Sequence, residues 1–126
     1  MAHKPLKWKG KNTLVGVEKG RLFRYIASMK RDEAIARLKA TEPALRALGV
    51  ASLYLFGSHA RDEARPDSDV DVFIDPASDM DFGFLGFMDA YETLQRAVGE
   101  NVDYGTRKGL HPLLRPDIER DAVKVF

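Results

Sequence analysis

Cysteine is absent from the chain, and tryptophan occurs once, at Trp8. Without a thiol there is neither a disulfide framework nor a thiolate metal site, which suits a reducing compartment and leaves the fold to packing alone. Long apolar runs are missing too. Stretches such as residues 53–56 are far too short to cross a bilayer, and the basic N-terminus lacks the apolar segment of a signal peptide. These absences predict a soluble, cytoplasmic protein with no membrane partner. There is no internal repeat, and 126 residues at 44% hydrophobic composition suffice for one compact core but not readily for two.

What is present is an uneven charge distribution. The formal net charge is only +1, yet residues 1–31 hold nine Lys or Arg against the single acid Glu18, and the remainder holds eleven against eighteen. A basic arm therefore precedes an acidic body. Residues 1–28 show no sustained helical or strand period, and Gly10, Gly16 and Gly20 interrupt their apolar residues. They read as a solvated, disordered arm, or as translated sequence ahead of a start at Met29. A contact with RNA or another acidic surface is the alternative role, and Trp8, Phe23 and Tyr25 offer groups for docking. Residues 29–126 form the predicted domain.

Within that domain Ile35, Leu38, Leu45 and Leu48 recur at helical spacing, so residues 31–48 predict a helix that Pro43 divides or kinks and Gly49 caps. Residues 51–56 predict a buried strand that runs straight into Gly57-Ser58. In residues 69–75 Val70, Val72 and Ile74 alternate with Asp69, Asp71, Phe73 and Asp75, which predicts a strand with one acidic face. A second helix is predicted over 79–98, with Phe84, Phe87, Met88, Tyr91, Leu94 and Val98 as its apolar stripe. Residues 101–106 alternate again, placing Val102 and Tyr104 opposite Asn101 and Asp103. A terminal helix is predicted over 116–123, with Pro116 in its first turn. Helices that can cover a small sheet indicate an α/β or α+β fold.

Chemistry is concentrated in Gly57-Ser58, Ala60-Arg61 and Ser68-Asp69-Val70-Asp71. Gly57 permits a tight turn and close backbone approach, and Ser58 can cap the helix that follows and offer its hydroxyl. Exposed amides at such a turn attract phosphate. Arg61, about one turn on, supports the turn or the acidic site. Asp69 and Asp71 project from one strand face with Cα atoms roughly 6.6 Å apart, at about 3.3 Å per residue. Carboxylates so placed suit magnesium, in a site for one ion or for two that share a ligand. Asp103 is the candidate third acid, and it could also serve as a base.

Gly57-Ser58-His59-Ala60-Arg61 followed by Ser68-Asp69-Val70-Asp71 resembles the signature of the polymerase-β-like nucleotidyltransferase superfamily. Together with Val102-Asp103-Tyr104 and the tail 118–123, it is most similar to the minimal nucleotidyltransferase antitoxins encoded beside HEPN-domain ribonuclease toxins. The resemblance covers residues 31–126 and leaves the arm out. It implies a mixed sheet flanked by helices, with ATP and magnesium as ligands. It also implies transfer of AMP to a hydroxyl, in some members on a tyrosine of the partner toxin. Gly57, Ser58, Arg61 and Ser68 fall to the nucleotide, and Asp69, Asp71 and Asp103 to metal binding and catalysis. Asp62 departs from the pattern, because glycine commonly follows the arginine; aspartate tolerates unusual turn dihedrals better than most residues.

Bland readings suit other polar residues. His59 is expected at a solvent-exposed turn position, and His3 and His111 lack zinc-ligand spacing. Solvation accounts for Asp75, Asp79 and Asp81. Beyond a protein adenylyltransferase, two further functions fit the chain: an antitoxin that neutralises its partner by binding alone, and a transferase acting on RNA or a small molecule.

Overall fold

The computed structural model describes residues 6–8, 13–18, 21–26, 29–99 and 101–126, with side chains from residue 29 onward apart from 79–81. Three short strands, β1 (Leu6–Trp8), β2 (Thr13–Glu18) and β3 (Arg21–Ile26), run as an antiparallel meander through the basic N-terminal segment. The sequence predicts no strand here. Register explains the miss, since Leu14 pairs with Tyr25 and the next row pairs Val15 with Arg24. Apolar residues thus occupy successive rows, and no period of two stands out. The arm's basic side chains, to which RNA contact was assigned, lie outside the described residues.

The predicted helix 31–48 is two helices, α1 (Arg31–Lys39) and α2 (Glu42–Leu48). Pro43 sits in the first turn of α2, where its missing N–H costs no helical hydrogen bond. Gly49 ends α2 in the left-handed conformation, at φ 105°. Strand β4 (Val50–Phe56) then enters the short helix α3 (Gly57–Ala60). After a loop come β5 (Val70–Pro76), the long helix α4 (Asp79–Val98) and β6 (Val102–Thr106). The chain ends with a 3-10 turn at Arg107–Gly109, helix α5 (Arg115–Asp121) and strand β7 (Val123–Lys124).

These strands form a mixed four-stranded sheet in the order β6-β5-β4-β7. β5 is antiparallel to β4 and parallel to β6, the parallel step being the one bridged by a crossover helix, α4. On one sheet face Leu53, Leu55, Val70, Val72 and Ile74 are buried beneath Ala34, Leu38, Leu45, Ala90, Leu94 and Val98 of the helices. Burial of each such Leu, Ile or Val contributes about 1.5–3 kcal/mol. The architecture is the α+β fold expected. Among the described residues no helix is long and apolar enough to cross a membrane.

Two boundaries depart from the sequence reading. Gly83 holds non-helical angles (φ 59°, ψ 176°) and shifts the phase of α4. Phe82 rather than Phe84 is therefore buried, and Phe84, Leu85 and Met88 are exposed at 75%, 78% and 39%. The inward stripe is Phe87, Ala90, Tyr91, Leu94 and Val98. At the tail the helix stops at Asp121, because Val123 pairs with Leu55 and Lys124 with Tyr54. Val125 and Phe126 are then buried, and Leu53 donates its N–H to the Phe126 carbonyl.

Candidate active site

The opposite sheet face carries the polar chemistry. Strand β4 ends at Phe56, which pairs with Asp71, and Asp71 is in register with Asp103 on the other side. Neighbouring strands lie about 4.8 Å apart, so the end of β4, Asp71 and Asp103 form one row across the sheet. Gly57 follows with φ +73°, and a Cβ there would stand 2.2 Å from Asp71 Oδ2. Only glycine meets both conditions, a left-handed turn and contact between backbone and carboxylate. Gly57, Asp71 and Asp103 are thereby gathered by the fold itself.

Asp71 is half-buried, and its pKa is pushed up to about 6. Burial is the largest cause, followed by repulsion from Asp103 and Asp69, while the Arg61 charge opposes the shift. Asp69 and Asp103 are exposed. Such a cluster, short of positive charge and made of hard oxygen donors, is chemically suited to a divalent cation. Among the described residues no group of three or more His, Cys, Asp or Glu side chains is placed so that it could hold a metal ion by itself. Magnesium is usually held by one or two carboxylates together with substrate phosphates, a mode that needs no such group.

Other expected nucleotide ligands are placed less uniformly. Ser58 lies within α3 and makes no cap; the N-cap position is Phe56, because the helix starts two residues earlier than a serine cap required. The Arg61 N–H reaches the Gly57 carbonyl at 3.2 Å, one turn back as expected, and Arg61 Nε is 3.2 Å from Glu63. With Phe56, Gly57, Asp117, Ile118 and Asp121 it lines a cavity of about 170 Å³ beside the turn. Ser68 is drawn away into its own loop, where its hydroxyl accepts from the Arg65 N–H at 2.8 Å.

Three residues have roles the sequence reading missed. His59 is 1% exposed, not a solvent-facing turn residue, and its Nδ1 lies 3.0 Å from the Asp69 carbonyl oxygen. A four-residue helix has no period from which its buried face could be read. Asp62 adopts φ 58°, as a substitute for glycine must, and its carboxylate accepts the Arg31 N–H at 3.0 Å. It thereby satisfies one of the orphan donors at the start of α1. Asp75 is not merely solvated, since Arg107 Nε and Nη2 each donate to it at 2.9 Å. Asp79 and Asp81 have side chains outside the described residues.

Comparison with known proteins gives the family and the fold. Residues 38–125 match the family model described as a nucleotidyltransferase domain. Protein adenylyltransferase MntA of Thermococcus cleftensis is 31% identical over 105 residues, which cover 79% of this chain and 100% of the relative. A solved structure assigned as a minimal nucleotidyltransferase superposes with a TM-score of 0.65 at 30% identity, over 75% of this chain and 95% of the other. A toxin-antitoxin crystallised with AMP-PNP shares the fold, with a TM-score of 0.54 at 17% identity over 78% of this chain and 73% of the other.

Proposed function

We propose, because this chain belongs to the nucleotidyltransferase domain family, that it transfers AMP from ATP to a hydroxyl of a partner protein and so silences that partner. The reading is carried by the contact between Gly57 and Asp71, with Asp103 in register beside them. Gly57 and Ser58 would hold the β- and γ-phosphates through the half-buried turn, with Arg61 and Ser68 flanking them. Asp69, Asp71 and Asp103 would hold magnesium, two ions in all. When bound, the metal neutralises phosphate charge and makes the attacking oxygen more acidic.

The acceptor oxygen forms a bond to the α-phosphorus as the bond from that phosphorus to its bridging oxygen breaks, and pyrophosphate departs. Asp103, exposed at the end of the row, takes the hydroxyl proton. Asp71 must be ionised to act as a ligand, and its raised pKa of about 6 leaves it ionised at neutral pH. ATP as the donor places the reaction in the cytoplasm.

A protein acceptor is supported by the relative named as a protein adenylyltransferase. The toxin-antitoxin with AMP-PNP supports an antitoxin role, and the motif resemblance points to a HEPN ribonuclease as the toxin. The test is incubation of the purified chain with labelled ATP, magnesium and the product of the neighbouring gene, beside an Asp69→Asn/Asp71→Asn variant. Label on the partner only with intact carboxylates is the expected result. An unlabelled partner that binds the variant equally well would replace transfer with neutralisation by binding.

A further inference from the structure

Asp71 is oriented by its strand, which has a neighbour on each side, but Asp69 is not. The ladder between β5 and β6 starts at Val70, and the ladder between β5 and β4 ends at Asp71. Asp69 is an exposed residue one step before the sheet. What fixes it is the peptide that joins it to Val70, which is held at both polar groups. The Val70 N–H donates to the Asn101 carbonyl at 2.7 Å, and the Asp69 carbonyl lies 3.0 Å from His59 Nδ1. A carbonyl oxygen can only accept, so this contact requires a hydrogen on Nδ1.

We propose that His59 is a positioning residue, the donor that aims the Asp69 carboxylate at the phosphate turn by pinning the Asp69–Val70 peptide. The inference rests on the reading of Asp69 as a metal ligand. The ring is buried in α3, which starts at the Gly57 turn, so one side chain ties that turn to the carboxylate pair. The Asn101 end of the same peptide ties it to the approach of β6, the strand of Asp103. With its plane held from both sides, the peptide sets the direction in which the Asp69 side chain leaves the backbone.

The test uses two conservative variants of the full chain. Asparagine places its amide nitrogen where Nδ1 sits, whereas glutamine places it near Nε2. Mn²⁺ binding in the presence of a non-hydrolysable ATP analogue, followed by water-proton relaxation, is expected to weaken about 10- to 100-fold in His59→Gln, as for loss of an outer-shell partner. In His59→Asn the change should stay within about threefold, whereas in His59→Gln transfer should show a raised KM for metal with little change in KM for nucleotide. Equal losses in both variants at matched melting temperature would reduce His59 to a space filler and overturn the proposal.

Two readouts need no metal. Nitrogen-15 correlation spectra of the wild-type chain should show the His59 proton on Nδ1; a proton on Nε2 alone overturns the proposal even if a variant fails to fold. Hydrogen exchange at the Val70 amide should quicken about tenfold in His59→Gln and not in His59→Asn, the loss of one net hydrogen bond. If the wild type binds no Mn²⁺, the metal reading fails, and the tautomer and exchange results still decide whether His59 pins the peptide.

Discussion

Asp71 and Asp75 lie four residues apart on one face of β5, yet their surroundings are opposite. Asp71 faces Asp69 and Asp103, is short of positive charge, and has its pKa pushed up to about 6. Asp75 is held by two 2.9 Å hydrogen bonds from Arg107, whose guanidinium lies 4.8 Å above the Tyr54 ring and 4.9 Å above Phe73. Arg107 also reaches Glu119 at 3.0 Å, and Arg115 bonds Glu119 in turn. Those bonds, that from Arg115 first, hold the Glu119 carboxyl below its usual pKa, and the bonds to Asp75 make Arg107 still harder to deprotonate. Between the two acids Phe73 is fully buried. One carboxylate on this face is structural, and the other is left under-compensated, as the proposed role of Asp71 as a cation ligand requires.

The comparison breaks most sharply at the Gly57 turn. Gly57→Ala drives a methyl into Asp71 at a φ that alanine disfavours, so transfer should fall more than about 100-fold, beyond the loss of an outer-shell contact. Stability should fall with it, by about 2–3 kcal/mol in denaturant titrations, since overpacking and backbone strain add. A smaller effect is expected at the structural end. Arg107→Met leaves Asp75 and Glu119 without their partner and uncovers Phe73. Because the paired groups are partly exposed, the cost should be about 1–2 kcal/mol of unfolding free energy. Transfer measured well below the melting temperature should stay within about twofold.

The smallest effect is a pH dependence. Asp71 has a folded pKa of about 6 against an ordinary 3.8, so the folded state disfavours its ionised form. Metal-free stability should therefore decline as pH rises from 3.8 to 6 and level off above that window. Allowing for solvent screening of a half-exposed group, the decline is about 1 kcal/mol. Asp71→Asn should lack this decline and be more stable than the wild type at pH 7.5. A parallel pH profile for the two proteins would mean that the like charges are not felt at Asp71.

Much of this contrast is legible in the sequence, and part is not. Alternation in residues 69–75 gives the strand and its acidic face, because a period of two is a local property. Gly57 is legible as a turn, but its contact with Asp71 depends on the register between β4 and β5, which no local pattern fixes. Asp75 reads as solvated because its partner is Arg107, far along the chain. His59 hides in a helix too short to show a face. Phe84 misleads, since Gly83 resets the helical phase that assigned it to the core, and β7 is missed because two residues of strand carry no period.

The most direct test compares Asp71→Asn with Asp75→Asn, measuring AMP transfer to the partner and metal-free unfolding free energy at pH 7.5 in the same preparations. Asp71→Asn should lose transfer and gain stability, and Asp75→Asn should lose stability and keep transfer. If Asp71→Asn retained transfer, or if both variants lost stability alike, β5 would not divide its acids between chemistry and structure, and the site would have to be sought elsewhere.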